Sequence, residues 1–401
     1  MTIKITYPGV YVEELPASIP PIPGVSTSQT AFVDFFASGP LHKATPVASF
    51  AGFTQIFGGL DTRSEASYAV HQFFLNGGSQ ASVVRVAAAH DPASAEWNNS
   101  EGAEAILGGG DGSGGIYALR GTGFNVLCLP AAANLSAPGL KMVYDAAARF
   151  CNEERAFLIV DVPPEVDTIT KAVHWLDAAN PDAITRDKNA AVYFPRLLVA
   201  DPLNKDLQRN VGASGTMAGL YARTDTERGV WKAPAGVDAT LNGVTLVAKI
   251  SDNDNGKINP IAINALRNFP VYGNICWGAR TLVGSDTEGS EWKYIPVRRL
   301  GLFIEDSIYR GTQWVVFEPN DEPLWAMIRL QVGAFMLSLF RQGALQGATP
   351  KDAYFIQCDR TTITQDDLDQ GVVNVIIGLA PLKPAEFVII RIQQMTRRCE
   401  E

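Results

Sequence analysis

The sequence predicts a mixed α/β protein: a layered α/β body of two subdomains with extended N- and C-terminal β-strand arms exchanged between copies of the chain. Three observations predict it. Short β-favouring apolar runs alternate with helix-length segments over most of the 401 residues, the pattern of a sheet covered by helices. Both ends carry strand-forming apolar residues separated from the body by proline-rich tethers. Hydrophobic residues make up 46% and charged residues 19%, enough apolar material for two or three cores at roughly 150 residues per domain.

Residues 1–25 form the first arm. Ile3, Ile5 and Tyr7 alternate with polar residues, Pro8-Gly9 turns the chain, and Val10, Tyr11 and Val12 lead to Glu13. Pro16, Pro20, Pro21 and Pro23 follow, and so dense a set of prolines holds no helix.

Residues 26–205 read as the first α/β subdomain. The strand TAFVDFF, a helix over Glu65–Leu75 and the strand ASVVRVAA open it. Then come GFNVLCLP, a helix over residues 141–152, AFLIVDVP, a helix around Trp175 and AAVYFPRLLV, taken as one strand. Between them, residues 87–122 combine a polar helix-like piece at 94–107 with the glycine run LGGGDGSGGI. This reads as a small variable surface segment.

A soft boundary is expected between residues 201 and 212, where NKDLQRNVGASG breaks the pattern, and residues 206–380 form the second subdomain. It is expected to hold the helix MAGLYARTDTERG, a helix at 260–268, the strand GNICWGART and a long helix at 322–342. Leu324, Ile328, Val332, Phe335, Met336 and Leu339 recur in that helix at three- and four-residue spacing, which buries one face. The strands AYFIQCD and VVNVIIGLAP flank the polar turn RTTITQDDLDQG.

Residues 381–401 form the second arm. Beyond Pro381-Leu-Lys-Pro384, the residues Phe387, Val388, Ile389, Ile390 and Ile392 make a strand with apolar residues on both faces. Such a strand needs a sheet to join. It either folds back on its own body as an edge or is donated to a neighbouring copy, where main-chain pairing gives affinity and alternating side chains give register. Arms at both ends favour polymerisation.

No chemistry-bearing constellation emerges. Lys plus Arg is 33 against 42 Asp plus Glu, a net charge of −9, the wrong sign for a chain that grips nucleic-acid phosphates. Five scattered cysteines suggest neither a disulfide framework nor a zinc ribbon. No secretory leader opens the sequence, and no apolar run approaches the ~18 residues of a membrane span; synthesis in the cytoplasm without membrane insertion is expected. Gly110, Gly112 and Gly115 satisfy G-x-G-x-x-G but follow a helix-like segment, whereas a dinucleotide site needs a strand before and a helix after. SDNDNGKIN is out of register with a calcium loop and reads as a turn. The Arg298-Arg299 pair reads as a surface or ion-pair element. No catalytic, cofactor or metal-binding residue is assigned.

The residues do carry a resemblance. YPGVYVEE, IPGVSTSQTAFVDFFASGP, FFLNGGSQASVVRV, YARTDTERGVWKAPAG, WGARTL, WKYIPVRRLGLFIEDSI, FEPNDEPLW, GALQGATPKDAYFIQCD, TTITQDDLDQG and APLKPAEFVIIRI occur in order and strongly resemble the contractile-tail sheath proteins of bacteriophages and related contractile injection systems. The resemblance implies a structural homo-oligomer, a helical stack of rings around an inner tail tube, contacting baseplate and tail terminator proteins. It implies assembly into a virion tail or contractile particle in a bacterial host, and arms that complete small sheets on adjacent copies. Those linking residues are Ile3, Ile5, Val10, Tyr11 and Val12 at one end, and Phe387, Val388, Ile389, Ile390 and Ile392 at the other. Two further classes compete: an α/β enzyme using the 110–115 glycine loop, and a secreted binding module, which would carry an export signal.

Overall fold

The computed structural model describes residues 21–108, 112–387 and 389. Contacts divide the chain into two units, one holding residues 26–302 together with the tether from residue 382, the other holding residues 303–381 together with the chain up to residue 25. The boundary expected between residues 201 and 212 lies inside the first unit.

The first unit is built on strands β1 (Thr30–Asp34), β2 (Thr45–Val47), β3 (Ala81–Arg85), β4 (Val126–Cys128), β5 (Phe157–Val160), β6 (Ala190–Phe194), β7 (Leu197–Asp201), β8 (Leu207–Val211), β9 (Thr245–Leu246), β10 (Ile263–Phe269) and β11 (Gly273–Cys276). Among the described residues, eight of these make one sheet in the order β11-β10-β6-β5-β4-β1-β3-β2, and β8-β7-β9 make a second. From β10 to β3 the large sheet is parallel, with antiparallel β11 and β2 at its edges. Its chain order reverses between β1 and β4, as in doubly wound folds.

Its helices are α1 (Phe50–Phe57), α2 (Glu65–Leu75), α3 (Gly102–Leu107), α4 (Ala137–Glu153), α5 (Ile169–Trp175), α6 (Ser214–Arg228) and α7 (Asp252–Ile258). Alternate strand residues feed two cores. Val33, Leu127, Leu158 and Val192 meet Leu140 and Val143 of α4 on one face, while Phe32, Val126, Phe157 and Tyr193 meet Val70 and Phe73 of α2 and Met217 and Tyr221 of α6 on the other. Burial on both faces explains why these strands read as continuous apolar runs.

Four expectations change. AAVYFPRLLV is not one strand: β6 and β7 belong to different sheets, parted at Pro195, which has no N–H for a ladder. Of residues 260–268, expected as a helix, only the start is helical, a 3-10 turn at Asn259–Ile261, and residues 263–268 lie in strand β10, because both faces are covered and the apolar spacing carries no helical period; even Asn264 is fully buried. SDNDNGKIN is no turn but starts α7, with Ser251 and Asp254 forming a capping box. Within residues 87–122, expected as a surface segment, residues 89–91, 95 and 96 are exposed, but Trp97, Ile106, Ile116 and Leu119 are buried in the first core; the intervening glycines and polar residues diluted their pattern.

The second unit holds the later part of α8 (Ile295–Gly311), α9 (Glu322–Arg341), the short α10 (Pro350–Ala353) and α11 (Gln365–Asp369), and strands β12 (Tyr354–Gln357) and β13 (Ile376–Leu379). Asp321 caps α9 by accepting from the Leu324 N–H, and all six residues expected on its inner face are buried. By length and composition alone α9 would pass for a membrane span, yet that face packs into its own unit. Within RTTITQDDLDQG, expected as a turn, Thr364 caps α11.

Candidate functional site

The C-terminal tether is pinned at one residue. Glu386 takes a two-pronged contact from Arg280, Nε to Oε1 at 2.7 Å and Nη2 to Oε2 at 2.8 Å, and also accepts from Asn259 Nδ2 at 2.8 Å and the Tyr294 hydroxyl at 3.1 Å. Arg280 is 1% exposed, and a buried guanidinium is tolerated only when paired and saturated with acceptors. Its Nη1 donates to Asn259 O, Gly284 O and Asp286 Oδ1. Burial opposes ionisation of Glu386, but the hydrogen bonds and charge of Arg280, with those of Asn259 and Tyr294, outweigh it and hold the carboxyl below its ordinary range. Residues 382–387 line a cleft of about 390 Å³ with Trp231, Trp277 and Tyr294.

Directly beyond this clamp, Phe387 is 73% and Ile389 80% exposed. Val388, Ile390 and Ile392 lie outside the described residues, as do Ile3, Ile5, Val10, Tyr11 and Val12. The root of the N-terminal arm is described. In the second unit Ile22 is buried against Gly311, Gly24 lies against Phe303, and the Val25 N–H donates to Ser307 Oγ at 3.2 Å. Of the expected linking residues, Phe387 and Ile389 are described, and both are exposed.

A two-stranded sheet lies in the second unit. β12 and β13 pair antiparallel, Ile356 opposite Ile377, and among the described residues neither has another strand neighbour. Tyr354 and Ile356 turn toward α9, where the Tyr354 hydroxyl reaches Gly333 O and the Ile356 Cδ1 approaches Gly333, while Phe355 and Ile376 stay about half exposed at 52% and 48%. A two-stranded sheet is marginal by itself and a template for further strands.

In the first unit, the crevice at the strand ends, where doubly wound folds hold ligands, is filled by the chain. Asp161, after β5, accepts from the Ser214 N–H at 2.8 Å and from the Ser214 hydroxyl. Glu65 accepts from Arg196 and the Gly212 N–H, both at 2.6 Å, and from Asn134. Asp34 accepts from the Phe35 and Ala66 N–H groups. Burial pushes Asp34 up to about 8 and Asp161 up to about 6. A Cβ on Gly212 would fall 2.3 Å from Asp161 Cγ, so this space is closed even to a methyl group. The glycine loop follows α3, a helix and not a strand, and no cluster of metal-ligating side chains occurs among the described residues.

Residues 287–395 match the family model described as phage tail sheath C-terminal domain. The chain superimposes on the PVC sheath complex of an extracellular contractile injection system in its contracted state, with a TM-score of 0.74 and 30% identity over 98% of this chain and 99% of that one. The chain belongs to the contractile sheath family. The sheath subunit is similarly close to the contracted helical sheath of the anti-feeding prophage, at 29% identity, TM-score 0.75, 97% of this chain and 99% of that one. It is 23% identical over 389 residues to the tail sheath protein of Vibrio phage KVP40, covering 92% of this chain and spanning about half, 55%, of the phage protein.

Sequence reading of this sheath subunit missed the clamp. The signal was a lone arginine between buried segments, WGART, and a lone glutamate opening an apolar run, AEFVII; a buried cation demands a carboxylate, but a separation of 106 positions hid the pairing. Arg298 and Arg299 are both buried, as an ion-pair reading requires: Arg299 pairs with Asp225 at 2.6 Å, and Arg298 donates to Asn189.

Proposed function

We propose that copies of this subunit stack as rings around an inner tail tube, joined by exchanged arms, and that shortening of the stack drives the tube through a target envelope to deliver a genome or effectors. The observation that carries the reading is the tether. Glu386 is locked to Arg280 while Phe387 and Ile389, directly beyond, are exposed, an apolar strand sequence held out where it can join another sheet. The β12–β13 sheet of a neighbouring copy offers the vacant edges. The N-terminal link is then Ile3, Ile5, Val10, Tyr11 and Val12, and the C-terminal link Phe387, Val388, Ile389, Ile390 and Ile392.

In this reading the bodies move as rigid pieces while the arms keep neighbours attached, and the free energy released lies in interfaces better satisfied in the short state. The subunit is made in the bacterial cytoplasm, meets baseplate and tail terminator proteins at the ends of the stack, and has a structural rather than catalytic role, without direct contact to nucleic acid or bilayer. The end-to-end match with an injection-system sheath favours a phage-derived injection particle over a phage tail as its setting.

Electron microscopy of the purified full chain tests the proposal. Hollow tubes or stacked rings are expected, and a monodisperse monomer at every salt concentration overturns it. Deleting residues 388–401, which spares the clamp, should leave a folded subunit that forms no tubes; normal tubes from that truncation overturn arm exchange.

A further inference from the structure

The cleft beside the C-terminal tether holds a cation without a counter-ion. Lys232 lines it together with Trp231, Trp277, Tyr294 and Pro384. Its Nζ donates to Ala233 O at 2.8 Å and to Ala235 O at 3.2 Å, which leaves one of three ammonium hydrogens unused. Burial holds the ammonium below the ordinary lysine range, with Arg228 adding to the effect and Asp238 opposing it. Among the described residues no carboxylate pairs with it. Glu386 is the one carboxylate among the lining residues, and Arg280 already occupies it, while Lys383 adds a second, exposed cation to the lining. A partly buried ammonium calls for an anion, and the rings around it for an apolar body. The fitting ligand is therefore a carboxylate directly adjoining an apolar or aromatic group.

The chain carries that pair of groups on the turn before α9. Phe317 is 102% exposed with a φ of 72°, and Val316 before it is 59% exposed. A bulky side chain seldom accepts this left-handed backbone, and such outliers cluster at ligand clamps and switches. Glu318 follows, and its carboxylate has no partner among the described residues. The turn is braced: the Glu318 N–H donates to Val315 O at 3.1 Å, and Asn320 donates to Val372 O at 3.0 Å while accepting from Trp325 Nε1 at 2.8 Å. Resting on the stacking reading above, we propose that the Phe317-Glu318 turn of a second copy enters this cleft, with the ring against Trp231 and Trp277 and the carboxylate on Lys232. Turn and cleft are different surfaces, so the contact is head-to-tail and repeats from copy to copy. The aromatic anchor supplies the affinity. The Glu318–Lys232 pair selects which apolar turn is accepted. The turn at Val271 and Tyr272 is also uncovered, at 84% and 49%, but residues 268–274 bring no carboxylate.

One test reads the cleft alone. The peptide VVFEPN, residues 315–320, contains no tryptophan, so its binding to the unpolymerised full chain can be followed by tryptophan emission. Saturable binding is expected. The peptide with Phe317→Ala should bind about tenfold or more weakly, and Lys232→Met in the protein should erase the preference for VVFEPN over its Glu318→Gln form. No saturable change, a preference that survives Lys232→Met, or tighter binding of the peptide FPVYGN, residues 269–274, overturns the proposal. A second test reads sedimentable tubes. Lys232→Glu and Glu318→Lys should each reduce polymer by about tenfold or more, with thermal melting of the unpolymerised variants as the folding control. Combining them in one chain should restore most of the polymer. Mixing the two single variants should restore it as well, because each copy then meets its complement in the other. Recovery in the double variant without recovery on mixing would place the contact within one chain, and no recovery in either would dissolve the pair; both overturn the proposal. If the wild-type chain forms no tubes, the stacking reading fails. If it forms tubes and the peptide does not bind, the contact between turn and cleft alone fails.

Discussion

Glu386 and Arg280 meet through two near-parallel hydrogen bonds, 2.7 and 2.8 Å long, across 106 positions of sequence. This paired geometry is the strongest form of carboxylate–guanidinium contact. Replacing Glu386 with Ala leaves a buried cation with fewer acceptors, while Asp286 and two carbonyls remain. A loss of about 2 kcal/mol in denaturant stability of the subunit is expected, with faster proteolysis at Lys383. An unchanged midpoint and unchanged cleavage would mean that the tether is held by something else.

Acid should release the same tether. The Glu386 carboxyl lies below its ordinary value of 4.5 in the folded chain, so the unfolded chain binds the proton more readily. The stabilisation is therefore complete above about 4.5 and is lost as pH falls through the lower folded value. Amide hydrogen exchange across residues 382–387, corrected for its intrinsic pH dependence, should show protection at pH 5 to 7 that weakens as pH falls below 4.5. The same profile in Glu386→Gln, which has no carboxyl to protonate, would contradict the assignment.

Asp34 should act in the opposite sense. Burial raises it from 3.8 to about 8, so between those values the folded chain keeps a proton that the unfolded chain has lost. Stability from this group is complete below 3.8 and declines as pH rises toward 8, with a limiting slope of about 1.4 kcal/mol per pH unit. Urea midpoints measured from pH 5 to 8 should fall less steeply in Asp34→Asn than in the wild type.

Helices α2 and α6 touch through glycine. A Cβ on Gly215 would sit 2.2 Å from Ala69 O, and one on Gly219 2.5 Å from Phe73 O. Backbone gives little, so Gly215→Ala should cost about 1–3 kcal/mol. Gly256, in α7, has nothing within 4 Å of its Cβ position, and Gly256→Ala should stabilise by up to about 1 kcal/mol. Thermal melts of the two variants should move in opposite directions.

Arg299 and Asp225 are each 4% exposed, and Arg299 also donates to Thr27 O at 2.8 Å. Arg299→Met alone strands a buried carboxylate and should cost about 3–5 kcal/mol. Adding Asp225→Leu should recover a large part of that loss in a double-mutant cycle. Additive losses would show that the pair is not coupled.

What the sequence disclosed follows from the range of the interactions involved. Helix α2 was readable to the residue because Ser64 caps it locally, and the inner face of α9 because its period is long and regular. Strand β10 was misread because burial on both faces erases alternation, and Trp97 was placed on the surface because its partners lie far along the chain. The C-terminal tether stands out as composition, proline followed by β-branched residues. The clamp that holds it does not, since nothing local to Glu386 names Arg280.

Arg280 is tied inward as firmly as outward. Its own N–H donates to Asn264 Oδ1 at 2.7 Å, and the Asn264 amide donates to Val192 O on β6 at 3.0 Å. Tension applied to the chain beyond Phe387 therefore enters the body at a forked, charged joint and passes into β10 and β6, inside the rim of the sheet. It does not peel the outermost strand one hydrogen bond at a time.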